Sequence, residues 1–141
     1  MQTQREDLRV RDRDTLAERI VRAPFHRWLG LEVAKADASG VELVMPWREE
    51  IVSRADPPIM HGGVVAALID TAGLYAVLAA GGSALGTAYM HVDYHRPVVS
   101  GTVRVRARAL KLGRRISVAE AMVYGEGPEP LASGRGGYFP P

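Results

Sequence analysis

One carboxylate interrupts the longest apolar run of the chain: Asp70, inside residues 62–80. A charge among apolar side chains costs free energy unless something satisfies it. Either a neighbouring hydroxyl such as that of Thr71 holds Asp70, or the carboxylate is a general base or nucleophile with altered acidity. The run opens on His61, Gly62 and Gly63. A helix that starts on two glycines leaves amide N–H groups unshielded by side chains. Such an end attracts anions and equally stabilises an oxyanion developing on a carbonyl; a plain tight turn would use the same residues. Gly62 and Asp70 are 70 − 62 = 8 residues apart, about 12 Å along a helix. A reacting carbon must lie about 3 Å from both groups, so one helix cannot offer both to one carbonyl. If both act, the amide of one subunit meets the carboxylate of another. A two-fold axis running two helices antiparallel makes that encounter twice, so the spacing predicts a homodimer at least.

Other residue types narrow the chemistry. The 141 residues include no cysteine, which removes disulfides, thiolate metal sites and cysteine nucleophiles. Lys and Arg total 18 and Asp and Glu 16, a net charge of +2 that is too small to predict nucleic-acid binding. His91, Asp93 and His95 share one face of a strand, and His-x-His spacing can hold a metal. The competing reading is the polar outer face of a half-exposed strand, with Ala88, Met90, Val92 and Tyr94 packed inward; no metal or cofactor is expected. Arg104, Arg106 and Arg108 also share a strand face, read as solvated and paired with Glu120 across the sheet. Aromatic side chains for stacking on bases are not expected beside them. No G-x-S-x-G, phosphate-loop or G-x-G-x-x-G pattern opens a helix.

The elements that must position these groups follow from periodicity and from Gly and Pro. Residues 2–14 are nearly all polar and read as a solvated tail. Residues 15–28 read as a short helix with Asp14 or Thr15 as N-cap and Leu16, Ile20 and Val21 on one face, broken at Pro24. Phe25, Trp28 and Leu29 read as an apolar plug. Residues 31–36 and 41–46 are two strands joined by a turn at 37–40. Residues 48–60 are a loop, with Pro57-Pro58 opposing regular structure. The run at 62–80 is a long helix stopped by Gly81-Gly82. Residues 87–94, 102–111, 115–124 and 131–139 are strands, with a hairpin at 111–114 around Gly113. Gly134, Gly136 and Gly137 mark a bulge or close packing.

The long helix has the length of a membrane span, yet a central Asp opposes insertion by about 2.5–3.5 kcal/mol. The strands also need a core, so the helix is expected buried between a sheet and a partner subunit, with no membrane contact. The first 20 residues mix both charge signs without an apolar segment, so a secretory signal is not expected and the cytoplasm is. One short helix, two strands, one long helix and four strands predict an α+β fold with a long central helix wrapped by an antiparallel sheet. Residues 1–24 are expected to form a tail and short helix, and 25–141 a single domain.

The segment from His61-Gly62-Gly63 through Leu68, Asp70 and Ala72 resembles the HGGxxxxLxDxA signature of hotdog-fold acyl-CoA thioesterases of the phenylacetyl-CoA thioesterase (PaaI-like) family. Tyr94-His95-Arg96-Pro97 with Gly101, and Gly113-Arg114-Arg115, resemble further pieces of that pattern, so the resemblance spans about 25–139. It implies hydrolysis of an acyl-CoA thioester in a homodimer or homotetramer, without metal or cofactor. By the same resemblance Asp70 is the catalytic carboxylate and Gly62 supplies the oxyanion N–H. Thr87 helps position water, His61 is structural or substrate-positioning, and Gly63 lies against the substrate. Many members carry an Asn shortly before HGG. Residues 48–60 contain none, and Asp56 is the nearest stand-in; this motivates an alternative, a non-catalytic acyl-CoA-binding protein. Arg114 and Arg115 suit CoA phosphates or a solvated hairpin tip. The pocket for the acyl group is expected to depend on Leu74, Tyr75, Val77 and the loop at 48–60.

Overall fold

The computed structural model describes residues 12–141; the polar tail expected at residues 2–14 lies outside it except for its last three. Helix α1 (Arg13–Arg22) is capped by Asp12, whose Oδ1 accepts from the Thr15 N–H at 2.8 Å and the Thr15 hydroxyl at 2.9 Å. The cap is therefore Asp12 rather than Asp14 or Thr15, because a side-chain acceptor serves the amide two or three residues onward. Leu16 and Ile20 are buried, whereas Val21 turns to solvent. Helix α2 (Pro24–Leu29) restarts after Ala23 with Pro24 in its first turn, where the missing N–H is harmless. It ends on Gly30 at φ 73, a left-handed stop that suits glycine. Of the expected plug only Leu29 is buried; Phe25 and Trp28 stack on each other at the surface, with the Arg48 guanidinium 4.2 Å above the Trp28 ring. One short helix turns a single narrow face to the core.

Strands β1 (Glu32–Asp37) and β2 (Gly40–Met45) form the expected hairpin. The segment expected to be a loop holds a short 3₁₀ turn, Glu49–Ile51, and a second hairpin of β3 (Val52–Ala55) and β4 (Pro58–Met60). Pro57 falls in its turn and Pro58 at the first position of a strand, where a proline deprives no neighbour of a ladder bond. Helix α3 (Gly62–Ala79) follows directly. Gly81 at φ 103 stops it, and the amides of Gly81 and Gly82 close on the carbonyls of Leu78 and Val77.

Strands β5 (Gly86–Tyr94), β6 (Val103–Lys111), β7 (Ser117–Tyr124) and β8 (Pro130–Phe139) complete a six-stranded antiparallel sheet in the order β1-β2-β6-β7-β8-β5. Alternation sets its faces. Val103, Val105 and Ala107 of β6 point to the core, and Arg104, Arg106 and Arg108 point outward. Arg108 meets Glu120 at 2.6 Å as expected, and Arg106 also meets the buried Glu42 at 2.9 Å. One aromatic does lie there: the Tyr124 ring is 5.3 Å from the Arg106 guanidinium.

Helix α3 crosses the inner face, burying Leu68, Ile69, Ala72, Ala76 and Val77 against it. It is long and apolar enough to cross a membrane, but here it is the core helix of the domain. The glycines of β8 mark close approach: a Cβ on Gly134 would lie 2.9 Å from the Ile69 side chain. The fold is thus α+β, with a long helix wrapped by an antiparallel sheet.

Candidate active site

The N-terminus of α3 is anchored before it begins. The Met60 amide donates to the Val98 carbonyl and the His61 amide to the Ile51 carbonyl, both at 2.8 Å. A helix start must satisfy its first amides from outside the helical ladder. His61 is the N-cap, and its Nδ1 accepts from the Gly63 N–H at 2.8 Å. The amides of Val64 and Val65 reach the His61 carbonyl at 2.9 and 3.3 Å. Among the described residues this leaves the Gly62 N–H without an acceptor. Gly62 lies beside a cleft of about 300 Å³ lined by Met60, Val65, Tyr94, Val98 and Ala132 among others. The Tyr94 hydroxyl, arriving from the end of β5, donates to the Gly62 carbonyl at 2.7 Å.

Asp70 lies two turns onward and is half-buried. Its Oδ1 accepts from the Thr87 hydroxyl of β5 at 2.6 Å, a length typical of an O–H donor on a carboxylate. The Tyr138 hydroxyl donates to the Asp70 carbonyl at 3.1 Å from beneath the helix. Burial first, and the nearby Asp70 charge second, raise the Tyr138 pKa well above the usual phenol value, so the hydroxyl stays a neutral donor.

Thr71, one expected partner of Asp70, faces another way: its hydroxyl is 3.3 Å from His26 Nε2. His26 comes from α2, packs edge-on against Tyr75, and keeps Nδ1 buried with no partner among the described residues. Burial lowers the His26 pKa below the ordinary histidine value, and the Asp70 charge opposes this only in part. The Tyr75 phenol is likewise pushed up by burial, against the pull of Arg19.

Residues Gly62, Ala66, Asp70, Leu74 and Leu78 repeat every four positions along α3, and each is only half-buried. Each is the i, i+4 neighbour of the next, so together they form one ridge that winds slowly round α3. This stripe is the side the sheet does not cover, and it carries both the free amide and the carboxylate.

The remaining expected residues are scattered. Asp56 is exposed at the β3–β4 turn. Arg114 and Arg115 are exposed between β6 and β7, where the Gly113 amide donates to the Ser117 hydroxyl at 3.1 Å; the connection runs from 112 to 116, because β7 starts at Ser117 rather than at Arg115. Tyr75 and Val77 are core residues rather than pocket walls, leaving Leu74 on the half-open stripe. His91 pairs with Asp93 at 3.1 Å and His95 with Ser133 at 2.8 Å, and no metal-binding cluster forms among the described residues. Ala88 is exposed rather than inward, where the β5–β8 register slips between Thr87 and Tyr89, and Tyr94 is exposed at the end of the strand while its hydroxyl reaches Gly62 of α3. The sequence reading missed His26 and Tyr138 as neighbours of the site, and missed the contact of Tyr94 with Gly62. Only Tyr94 carried a signal, its place in the Y-x-R-P pattern.

Comparison with known proteins agrees with this geometry. Residues 58–132 match the family described as the thioesterase superfamily, just over half the chain. The chain is 34% identical over 102 residues to the proofreading thioesterase EntH of Klebsiella pneumoniae, covering 70% of this chain and 72% of that one. It is 28% identical over 135 residues to the medium/long-chain acyl-CoA thioesterase YigI of Salmonella typhimurium, covering 85% and 87%. Among solved structures, one from the thioesterase superfamily superposes with a TM-score of 0.84 at 37% identity, covering 90% of this chain and 96% of that one. A Shewanella oneidensis protein related to the same superfamily gives 0.81 at 28%, covering 94% and 96%. With the long helix, the wrapped sheet and the carboxylate on the helix all present, the chain belongs to the hotdog-fold thioesterase superfamily and is a thioester hydrolase.

Proposed function

We propose that the protein hydrolyses an acyl-CoA to the free acid and CoA, at two equal sites formed between the subunits of a homodimer or of a tetramer built from it. The observation that carries this reading is the Asp70 carboxylate, braced by Thr87 on the half-open stripe of α3 that begins at the free Gly62 N–H. Thr87 occupies Oδ1, so Oδ2 is the oxygen that faces the reactants. It takes a proton from water as the water oxygen attacks the thioester carbon, or it adds to that carbon itself. The partner subunit contributes its Gly62 N–H and the positive end of its α3 to the oxyanion. In the water route the carbon–sulfur bond then breaks, and CoA leaves as a thiol with the proton held by Asp70. In the nucleophilic route CoA leaves as a thiolate, and water hydrolyses the acyl–Asp70 anhydride to the free acid, which restores the carboxylate and supplies the thiol proton. Gly63 lines the substrate path beside Gly62, Asp56 is the stand-in for the missing Asn near the thioester carbonyl or its water, and Arg114 and Arg115 meet the CoA phosphates. No metal or organic cofactor enters this scheme. The protein is placed in the cytoplasm, in the phenylacetyl-CoA thioesterase branch that its helix signature resembles. The names of its relatives motivate medium- and long-chain acyl groups beside aryl ones.

A panel of short-, medium- and long-chain and aryl acyl-CoAs, assayed by thiol release, tests the proposal. Asp70→Asn is expected to lower kcat by about 10²–10⁴-fold while leaving the circular dichroism spectrum and elution volume unchanged. A variant as active as the parent removes Asp70 from the mechanism. Saturable acyl-CoA binding with no turnover in the parent assigns the non-catalytic role instead.

A further inference from the structure

We propose that Tyr94 and His61 are positioning residues that together clamp the Gly62–Gly63 peptide and so aim the Gly62 N–H. This rests on the reading of that amide as the oxyanion donor. The two hydrogen bonds grip opposite ends of one peptide unit. Tyr94 donates to its oxygen, the Gly62 carbonyl, at 2.7 Å, and His61 Nδ1 accepts from its nitrogen, the Gly63 N–H, at 2.8 Å. The preceding peptide, whose N–H is the free donor, meets that plane at Gly62 and is held at its own oxygen by the Val64 and Val65 amides, at 2.9 and 3.3 Å, so the clamp removes the freedom that remains at the Gly62 hinge between them.

The clamp answers a difficulty that the two glycines create. Glycine gives up more conformational freedom on folding than any other residue, and an oxyanion donor helps only when it is already aimed. Neither Gly62 nor Gly63 has a positive φ, so a left-handed backbone does not account for them. Space does. A Cβ on Gly62 would sit 3.3 Å from the Tyr94 ring, and one on Gly63 would sit 2.9 Å from His61 Nδ1. The glycines let two side chains pack directly on the backbone, and those side chains restore the order that glycine lacks. His61 can accept only through an unprotonated Nδ1, which places the neutral ring's proton on Nε2. Tyr94 is itself held in place: the next two amides, of His95 and Arg96, both donate to the Leu131 carbonyl, at 2.9 and 3.0 Å.

The test measures kcat and KM with whichever acyl-CoA of the panel the parent hydrolyses fastest, together with hydrogen exchange at the Gly63 amide. Tyr94→Phe keeps the ring and loses the donor at an exposed position, so folding is not at stake. It should lower kcat about tenfold, part of the about 10²–10³-fold lost when an oxyanion donor is removed outright, with KM and Tm nearly unchanged. His61→Ala should lower kcat similarly and speed Gly63 exchange. His61→Asn, whose side-chain oxygen can cap the same amide, should recover most of both. The clamp is overturned if Tyr94→Phe and His61→Ala keep the parent kcat while Asp70→Asn abolishes turnover; that result leaves the thioesterase reading standing. It is also overturned if Tyr94→Phe raises KM alone, since the hydroxyl then touches substrate rather than the backbone. Full activity in Asp70→Asn, or none in the parent, instead removes the catalytic reading and the clamp with it.

Discussion

Thr87 decides where the Asp70 carboxylate points, because its hydroxyl at 2.6 Å is the contact that the described residues make with that side chain. Thr87→Val keeps the branched shape and deletes the donor. A lost hydrogen bond to a charged group is worth about 1.5–3 kcal/mol, and kcat should fall by roughly 10–100-fold if that bond acts in the transition state. Thr87→Ser should restore most of it in the same thiol-release assay. An unchanged rate in Thr87→Val would separate Thr87 from the chemistry. His26 yields a second prediction, on stability. Burial holds its pKa below the value near 6.5 that it has when unfolded. As pH falls through 6.5, the unfolded chain takes up the proton first. Stability is therefore lost from that point down to the folded pKa, and rising pH restores it. Asp12 and Asp37, whose pKa values are lowered chiefly by hydrogen bonds from Thr15 and Ser39, lose their contribution only below the usual carboxylate range, so the windows separate. Tm should decline between pH 7 and 5, and His26→Phe should flatten that slope; the same slope in the variant would assign it to other groups.

At the scale of elements, α3 and β8 are locked through a glycine and a tyrosine. Tyr138 is fully buried, and a Cβ built on Gly73 would overlap its hydroxyl and lie 2.9 Å from its Cζ. Replacing an exposed helical glycine by alanine gains about 1 kcal/mol. Here overpacking of about 1–3 kcal/mol should outweigh that gain, so Gly73→Ala is expected to lower stability in urea. In a Tyr138→Phe background the penalty should shrink, with a coupling of about 0.5 kcal/mol or more; strict additivity would show that the two side chains do not meet. Such locks explain what the sequence could and could not reveal. The long helix, its Gly81 stop and the six strands were legible because each writes its own period or breaker into consecutive residues. Asp70 and Gly62 stood out by residue type against an apolar run. The partners of these groups lie 32 positions away for Tyr94 on Gly62, 45 for His26 on Thr71 and 68 for Tyr138 on Asp70. No local pattern encodes such distances. The β3–β4 hairpin escaped for the opposite reason: its strands are four and three residues long, too short to display alternation.

At the scale of the whole molecule, two features of one chain call for a second copy. Strand β5 pairs with β8 on one side and has no neighbour on the other among the described residues, which leaves a row of ladder groups open at the sheet's edge. Helix α3 is apolar nearly throughout, yet the stripe through Ala66, Leu74 and Leu78 is only partly covered. An apolar helix is stable in water when its remaining face is buried. A two-fold pairing would cover both the edge and the stripe, and it would bring the Gly62 amide of one copy towards the Asp70 of the other, about 12 Å of helix being too long for one copy to manage alone. Leu78 sits two turns past Asp70 on that stripe, away from Thr87 and from the helix start. Leu78→Glu places a charge in the shared face without touching either reacting group. Light scattering after size exclusion should show the parent as a dimer or larger and the variant shifted to monomer. Its circular dichroism should stay that of the folded parent, and acyl-CoA turnover should fall with the dimer fraction, recovering as protein concentration rises. A parent that is monomeric and fully active would place the oxyanion donor within the same chain as Asp70, and the Gly62 amide could then no longer fill that role.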